Sequence, residues 1–394
     1  MEYFYGLLDL SFLGYLLTTF CMVQFNFMGV TLYLHRDQAH RSVDLHPILR
    51  HIFRAWIWMT SGIVTSEWVA IHRKHHAFCE VEGDPHSPRV FGLKRVLLEG
   101  SELYRAEAGN PATIEKYSRG CPEDWLERKL YGGHSYLGIV ALVVMDLVLF
   151  GVPGIIIIAV QLSANPLLAA GAINGLGHAL GYRNFETDDA STNLVPWGIL
   201  VAGEELHNNH HAFPSSARFS MRPWEFDIGW FYLRVLKLFG LAKIRRVAPE
   251  IAVENEVKAP DLETLRAVVV SRMHVLRYYS RQVTIPVLKR ELAAIGEKAL
   301  VRKARRLIST QPAMLDGPSQ EKLAQLVEHH PTLRTVMEFR AELKSLWEGA
   351  NVSNERLLAQ LKEWCARAEA SGIQALEEFA AGLRRYRLAD MSAG

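Results

Sequence analysis

The first 240 residues alternate between long apolar stretches and short polar windows. Asp9 is the only charged residue in 8–34, and Asp146 is the only one in 136–177. About 20 apolar residues in a helix cross a hydrocarbon core of about 30 Å. The first stretch therefore predicts one membrane span. The second, with expected breaks at 151–154 and at Asn165-Pro166, predicts two.

Residues 48–71 are also apolar, but they carry Arg50, Arg54 and Glu67 together with three tryptophans. The side chains of tryptophan and arginine are both energetically favourable at the interface between membrane and water. We therefore predict a single helix over 48–71 that lies in or dips into the interface without crossing the bilayer.

The pattern changes at about residue 245, where periodic Leu, Ala and Val alternate with Arg, Lys and Glu. This periodicity predicts several amphipathic helices. We therefore divide the chain into a membrane region, 1–244, and a C-terminal soluble helical region of unknown role, 245–394. The fold class expected for the whole chain is all-α. Because 245–394 contains no ligand cluster, we expect a chain truncated near residue 250 to keep its metal.

The basic residues give an orientation. Lys and Arg are absent from 1–35 and from 151–166, and Arg36, Arg41, Arg50 and Arg54 follow the first span. The positive-inside rule then places the N-terminus outside, and the residues after the first span in the cytoplasm. The formal net charge is only +2, so we expect no nucleic-acid partner.

Three short windows hold eight of the sixteen histidines: His35 and His40; His72, His75 and His76; His207, His210 and His211. Positions i, i+3 and i+4 share a helix face, so each HxxHH triplet is expected to point at one spot. The five-residue spacing of the first pair fits a loosened helix end. One such window alone could be a polar helix face, but the repetition argues for a metal site.

Imidazole suits zinc, copper, iron and nickel, and eight or more imidazoles exceed what one tetrahedral metal needs. We therefore expect two metals with about four or five imidazoles each. A common site requires all three windows on one membrane face, so 48–71 cannot be a crossing. Lipid-like substrates and O₂ reach such a site, which favours oxidative chemistry on an acyl or alkane chain. Zinc hydrolysis remains possible, although the sequence has no HExxH motif.

The combination of HxxxxH, HxxHH and HxxHH over about 177 residues resembles the membrane fatty acid desaturases. It is most similar to the bacterial type of the acyl-CoA Δ9-desaturase (stearoyl-CoA desaturase-like) branch. The resemblance covers residues 10–240. Further strings that carry it are Glu67-Trp68 before His72, Asp84-Pro85-His86, Gly181-Tyr182-Arg183, and Gly203-Glu204 before His207.

The resemblance implies two iron ions held by these eight histidines and by His178, with Asn174 reaching the second iron through a water. It also implies that O₂ is a co-substrate and that a saturated acyl chain, carried by CoA or another acyl lipid, receives a cis double bond at the Δ9 position. A separate ferredoxin or flavoprotein reductase would supply electrons. The expected location is the bacterial cytoplasmic membrane, with the active site on the cytoplasmic face.

Four further residues are candidates for roles around the metals. Glu67, Asp84 and Glu204 are candidates for orienting the ligands, and Trp68 is a candidate for the substrate tunnel. The carboxylates could equally be ordinary charges of the cytoplasmic face.

Two other functions remain open. A membrane di-iron hydroxylase or ketolase acting on lipids or alkanes would use the same three windows, and its product would be oxygenated instead of unsaturated. A membrane metal-binding or transport protein would place its ligands inside the spans, whereas here the windows lie at span ends.

Overall fold

The computed structural model of the protein describes residues 5–310, 314–348 and 352–389. The chain forms two compact units. The first contains Met1–Arg183 and Asp189–Ala248. The second contains Asn184–Asp188 and Pro249–Gly394. The sequence-based division at residue 245 does not anticipate that a five-residue segment of the membrane region belongs to the second unit.

The helices of the first unit carry most of its described residues. The α-helices are Phe12–Gly29 (α1), Pro47–Ser61 (α2), Thr65–Phe78 (α3), Pro88–Phe91 (α4), Leu93–Ala108 (α5), Pro111–Tyr117 (α6), Ser135–Phe150 (α7), Gly154–Ala164 (α8), His207–Ala212 (α9) and Ile228–Leu238 (α10). π-Helical segments span Val30–Ala39, Leu126–Tyr131 and Asn165–Leu176.

In the described part of the chain, two apolar helices are long enough to cross a membrane. Helix α1 continues through its π-helical segment as Phe12–Ala39, 28 residues, and α8 continues as Gly154–Leu176, 23 residues. Helix α7 is also apolar but has only 16 residues. Apolar side chains of α1 such as Leu13 and Leu17 are more than half exposed, as expected for a helix that faces lipid. These features suggest membrane association, and the three-span topology stays a prediction.

The two expected breaks in the second apolar stretch have different outcomes. Helix α7 ends at Phe150, and Gly151 adopts a positive φ of 64°, so the turn at 151–154 is confirmed. The break at Asn165-Pro166 is wrong, because the helix runs on to Leu176. Proline lacks an N–H but is tolerated where a new hydrogen-bond register starts, and here the π-helical register starts at Asn165.

The prediction of a single helix over 48–71 is also wrong. Helix α2 ends at Ser61, and α3 begins at Thr65. Gly62 lies between them with a φ of 67°, and its N–H donates to the oxygen of Trp58 at 2.9 Å. A glycine in the left-handed region commonly ends a helix, and this turn lets α3 start in a new direction.

Helix α5 packs along the π-helical segment Asn165–Leu176. Gly100 makes this close approach possible, because a Cβ at that position would lie 3.0 Å from the Cβ of Ala170. The contact places α5 along one wall of the cavity described below.

The all-α expectation holds for most of the structure but omits six short strands among the described residues. Antiparallel pairs join Val43–Leu45 (β1) to Ala242–Ile244 (β4) and Ile251–Val253 (β5) to Tyr386–Leu388 (β6). A parallel pair joins Trp197–Gly198 (β2) to Phe226–Asp227 (β3). Such ladders satisfy the backbone polar groups of connecting segments, and two or three residues are too few to produce an alternating sequence pattern.

The second unit is a bundle of helices. They are Leu262–Val270 (α11), Arg272–Tyr279 (α12), Ile285–Ala294 (α13), Val301–Ser309 (α14), Gly317–His329 (α15), Pro331–Glu348 (α16), Asn354–Glu369 (α17) and Gln374–Leu383 (α18), with a π-helical segment at Ser280–Thr284 and a 3₁₀ turn at Lys298–Leu300. Tyr279, Trp364 and Phe379 form an aromatic cluster in its core.

Candidate metal centre

Nine histidines of the first unit form two groups in which one ligand atom from each residue lies within 4.8 Å of every other. The five-imidazole group contains His35, His40, His72, His76 and His210. The four-imidazole group contains His75, His178, His207 and His211. Among the described residues, these are the nine histidines that the sequence analysis singles out.

The local helix geometry explains how the first window contributes two ligands. His35 and His40 lie at the end of the π-helical segment Val30–Ala39, and the N–H of His40 donates to the oxygen of His35 at 3.0 Å. This i→i+5 hydrogen bond is typical of a π-helix. The wider turn brings two residues five apart to one side, as their spacing indicated.

The expectation that each HxxHH triplet points at one spot is wrong. On α3, His72 and His76 join the five-imidazole group while His75 joins the other. On α9, His207 and His211 join the four-imidazole group while His210 joins the other. Residues four apart in a helix differ by about 40° around its axis, whereas i+3 lies about 60° to the other side of i. The two helices therefore lie between the groups, and each supplies ligands to both.

The Nε2 atoms converge within each group. In the five-imidazole group, Nε2 of His210 lies 3.0 Å from that of His35 and 2.9 Å from that of His76. In the four-imidazole group, Nε2 of His207 lies 2.9 Å from that of His178 and 3.1 Å from that of His211. Imidazole nitrogens so close together repel unless a proton or cation is shared between them. Each group therefore fits a metal ion.

Carboxylates orient four of the nine rings through Nδ1. His35 pairs with Glu204 at 2.7 Å, His75 with Asp84 at 3.0 Å, His178 with Glu80 at 2.7 Å and His211 with Asp189 at 2.9 Å. A carboxylate that accepts the Nδ1 proton leaves the Nε2 lone pair free for a metal. Two of these carboxylates, Asp84 and Glu204, are sequence candidates.

Glu80 and Asp189 were missed by the sequence analysis. Glu80 follows the second histidine window by four residues, so its proximity to that window was a usable signal, although its partner His178 lies 98 residues away. Asp189 lies in an irregular segment 22 residues before its partner His211, and no spacing rule links the two.

Burial favours the neutral form of several of these imidazoles. Burial lowers the pKa of His72, His75 and His76 well below the usual range, and neighbouring imidazoles lower it further. The same causes lower the pKa of His207 and His210. Neutral imidazole is the metal-binding form, so these five rings can bind a metal without first losing a proton.

A buried arginine supports Glu204. Arg36 is fully buried, its guanidinium lies 3.1 Å from Asp227 and 3.8 Å from Glu204, and it stacks 3.7 Å from the ring centroid of Phe219. Thr31 also donates to Glu204, at 2.5 Å. These contacts fix the carboxylate that orients His35.

Comparison with known proteins identifies the first unit. The model of the fatty acid desaturase family matches residues 10–234, more than half of the chain. The chain belongs to the fatty acid desaturase family. It is therefore an oxidoreductase of unsaturated fatty acid biosynthesis.

Three curated desaturases illustrate the similarity. The chain is 30% identical over 239 residues to Delta-9 acyl-lipid desaturase 2 of Arabidopsis thaliana, which covers 59% of this chain and 75% of the relative. It is 31% identical over 233 residues to the sn-1 stearoyl-lipid 9-desaturase of a Synechocystis strain, covering 58% and 70%. It is 32% identical over 237 residues to Acyl-CoA 5-desaturase AL21 of Anemone leveillei, covering 57% and 68%.

A different family model, described as a transposase, matches residues 263–391. This match covers about a third of the chain and lies within the second unit. Among the described residues, the groups of His, Cys, Asp and Glu that could hold a metal all lie in the desaturase unit.

A cavity of about 710 Å³ adjoins the metal centre of the desaturase unit. Both imidazole groups contribute to its wall, through His35, His72 and His207. Trp68 also lines it and stacks on His72 with centroids 4.9 Å apart. Asn174 also lies in the cavity wall, on the π-helical segment Asn165–Leu176.

The third carboxylate candidate, Glu67, lies in the cavity wall. Among the described residues it has no hydrogen bond to a histidine of either group, which distinguishes it from Asp84 and Glu204. Burial raises its pKa to about 7, with a smaller contribution from the charge of Glu127. Burial therefore favours the protonated form of this side chain well above the pH at which an exposed glutamate ionises.

Proposed function

We propose that this desaturase introduces a cis double bond at the Δ9 position of a saturated acyl chain carried by CoA. The observation that carries the proposal is the position of the two imidazole groups in the wall of the 710 Å³ cavity. The acyl-CoA specificity rests on the similarity of the sequence motifs to that branch. The relatives named above include both acyl-lipid and acyl-CoA desaturases, so the acyl carrier is part of the test.

The donor set supports two iron ions, one in each group. The five-imidazole group offers five nitrogen ligands, and the four-imidazole group offers four. By resemblance to the desaturases, Asn174 in the cavity wall is the proposed further ligand, through a water. Imidazole is a suitable ligand for iron. When bound, the irons would supply the redox chemistry by which O₂ and two external electrons remove two hydrogens from adjacent methylenes.

In this proposal, residues of the chain bind the acyl chain and orient the metal ligands. The cavity holds the acyl chain, and Trp68 both forms part of its wall and limits the rotation of His72. Glu204, Asp84, Glu80 and Asp189 keep the ligand rings in the metal-binding tautomer. The largely apolar surroundings of Glu67 favour its protonated form and so reduce the cost of a carboxyl group beside an acyl chain.

The remaining assignments follow from the sequence. The proposed location is the bacterial cytoplasmic membrane with the active site on the cytoplasmic face, because Lys and Arg flank the histidine windows and are absent from 1–35. A separate ferredoxin or flavoprotein reductase is the proposed electron donor.

Product analysis tests the proposed function. Purified full-length protein, loaded with iron and supplied with a reductase and O₂, is given stearoyl-CoA in one reaction and a stearoyl phospholipid in another. The proposal expects oleoyl product with the CoA substrate. If unsaturated product forms only from the phospholipid, the substrate is an acyl lipid and not an acyl-CoA. If the product is an alcohol, the enzyme is a hydroxylase. Metal binding without any acyl product would favour a metal-binding or transport protein.

A further inference from the structure

A short loop of the desaturase sequence belongs to the second unit. The two ends of the loop are joined by a hydrogen bond, in which Nη1 of Arg183 donates to the backbone oxygen of Asp189 at 2.9 Å. The residues between them, Asn184–Asp188, are part of the second unit, although the chain on either side is part of the first. The chain thus passes between the units here as well as after Ala248.

Within the second unit, the loop tip is anchored at three points. Phe185 is 1% exposed, and its ring meets that of His274 edge to face, with centroids 5.3 Å apart. Glu186 pairs with Arg340 of α16, and both side chains are less than 15% exposed. One turn further along α16, Nζ of Lys344 lies 2.8 Å from Oδ1 of Asp188.

The residue that follows the tip orients a metal ligand. Asp189 accepts a hydrogen bond from Nδ1 of His211 at 2.9 Å through Oδ2. Its other oxygen accepts from the N–H of Ser191 at 2.9 Å and from the Ser191 hydroxyl. Consecutive Cα atoms are about 3.8 Å apart, so a displacement of Asp188 is transmitted directly to Asp189.

We propose that Arg340, with Glu186 and Lys344, is a positioning residue for the four-imidazole group. These residues hold the loop tip in the second unit, the tip restrains Asp189, and Asp189 keeps Nε2 of His211 directed at the metal. The inference deepens the proposed function and rests on its assignment of a metal to this group.

The inference gives the C-terminal region a role in the chemistry of the desaturase unit. A chain truncated near residue 250 lacks Arg340 and Lys344, so the loop tip loses its anchors. This is an argument against the expectation that residues 245–394 are dispensable for metal retention.

Charge reversal of the buried pair tests the inference. The variant Arg340→Glu places two negative charges together at the loop tip. In full-length protein loaded with iron, we expect one of the two irons to be released to a chelator up to about 10–100-fold faster than in wild type, since the loss of a ligand's carboxylate partner lowers metal affinity by about that factor. Hydrogen exchange in peptides covering 183–191 should rise. The double variant Glu186→Arg/Arg340→Glu restores an ion pair and should return both measurements to within about threefold of wild type.

Two further variants serve as a negative and a positive control. Arg384→Glu breaks an ion pair with Glu369, 2.8 Å apart in the same unit, that includes no residue of the loop, and should leave iron release unchanged. Asp189→Asn acts directly on His211 and should reproduce the fast phase of Arg340→Glu. If Arg340→Glu does not fold, Arg340→Gln replaces it, with a smaller expected increase in the same fast phase.

Three results would overturn the inference: unchanged loop exchange in Arg340→Glu, raised loop exchange with wild-type iron release, or equal iron loss in Arg340→Glu and Arg384→Glu. Failure of the double variant to recover would also count against it. If wild-type protein does not hold two irons, the proposed function fails instead, so the two failures are distinguishable.

Discussion

The two imidazole groups differ in how their rings are held. Among the described residues, one ring of the five-imidazole group, His35, has a carboxylate partner, whereas three of the four rings in the other group have one. The five-imidazole group draws its ligands from helices and from the π-helical end Val30–Ala39. The four-imidazole group depends on carboxylates from irregular segments after α3 and before α9. The group with fewer ligands is therefore the one whose geometry depends more on its surroundings.

Removal of a ligand should have the largest effect. His75→Ala deletes one of only four imidazoles and leaves the buried Asp84 without its imidazole partner. We expect loss of detectable product and loss of one iron per chain, measured by metal analysis of the purified variant. His329→Ala, an exposed histidine of the second unit, should retain wild-type activity. Retention of both irons in His75→Ala would contradict the assignment of His75 to this group.

Removal of the orienting carboxylates should separate the two groups. Asp84→Asn and Asp189→Asn should each weaken one metal by about 10–100-fold, and in both variants it should be the metal of the four-imidazole group. Glu204→Gln should instead affect the metal of the five-imidazole group, because Glu204 pairs with His35. Iron K-edge spectra and release kinetics of the three variants measure this. If all three variants weakened the same metal, the assignment of these carboxylates to two different groups would be wrong.

The sequence predicts the features that depend only on the spacing of nearby residues and on the length of an apolar segment. Eight of the nine histidines and the apolar segments could be read from it, because short residue spacing within one window and uninterrupted apolar length are local properties of the chain. His178 was expected only from the resemblance to the desaturases. The split of each HxxHH triplet was not predictable, because it depends on how α3 and α9 are rotated relative to the other ligands.

Other features depend on contacts between distant residues. Glu80 meets His178 across 98 positions, and the segment Asn184–Asp188 joins the second unit through Arg340 and Lys344, more than 150 residues later. The continuation of the helix through Pro166 was missed for a different reason, since a π-helical register is not visible in an apolar sequence. These omissions concern how the site is held, not which residues form it.

The smallest expected effect concerns the carboxylate without an imidazole partner. Glu67→Gln should leave iron release unchanged, which contrasts it with Asp84 and Glu204. Burial raises the pKa of Glu67 from 4.5 to about 7, so the folded protein binds more protons than the unfolded chain between these values. Its contribution to stability therefore decreases as pH rises from about 4.5 to 7. The variant should unfold at a higher temperature than wild type at pH 8 and at a similar one at pH 4.5, as measured by thermal unfolding in detergent.

A stability gain of the same size at both pH values would show that Glu67 does not titrate in this range. Faster iron release in Glu67→Gln would show that Glu67 orients a ligand after all.

The central claim is that the two imidazole groups hold one iron each. Metal analysis of the full-length wild-type protein, combined with Mössbauer spectroscopy of ⁵⁷Fe-loaded samples, tests it most directly. The account predicts two irons per chain in two nitrogen-rich environments, reduced to one iron by His75→Ala. A single zinc per chain without iron, or one iron in one environment, would contradict it.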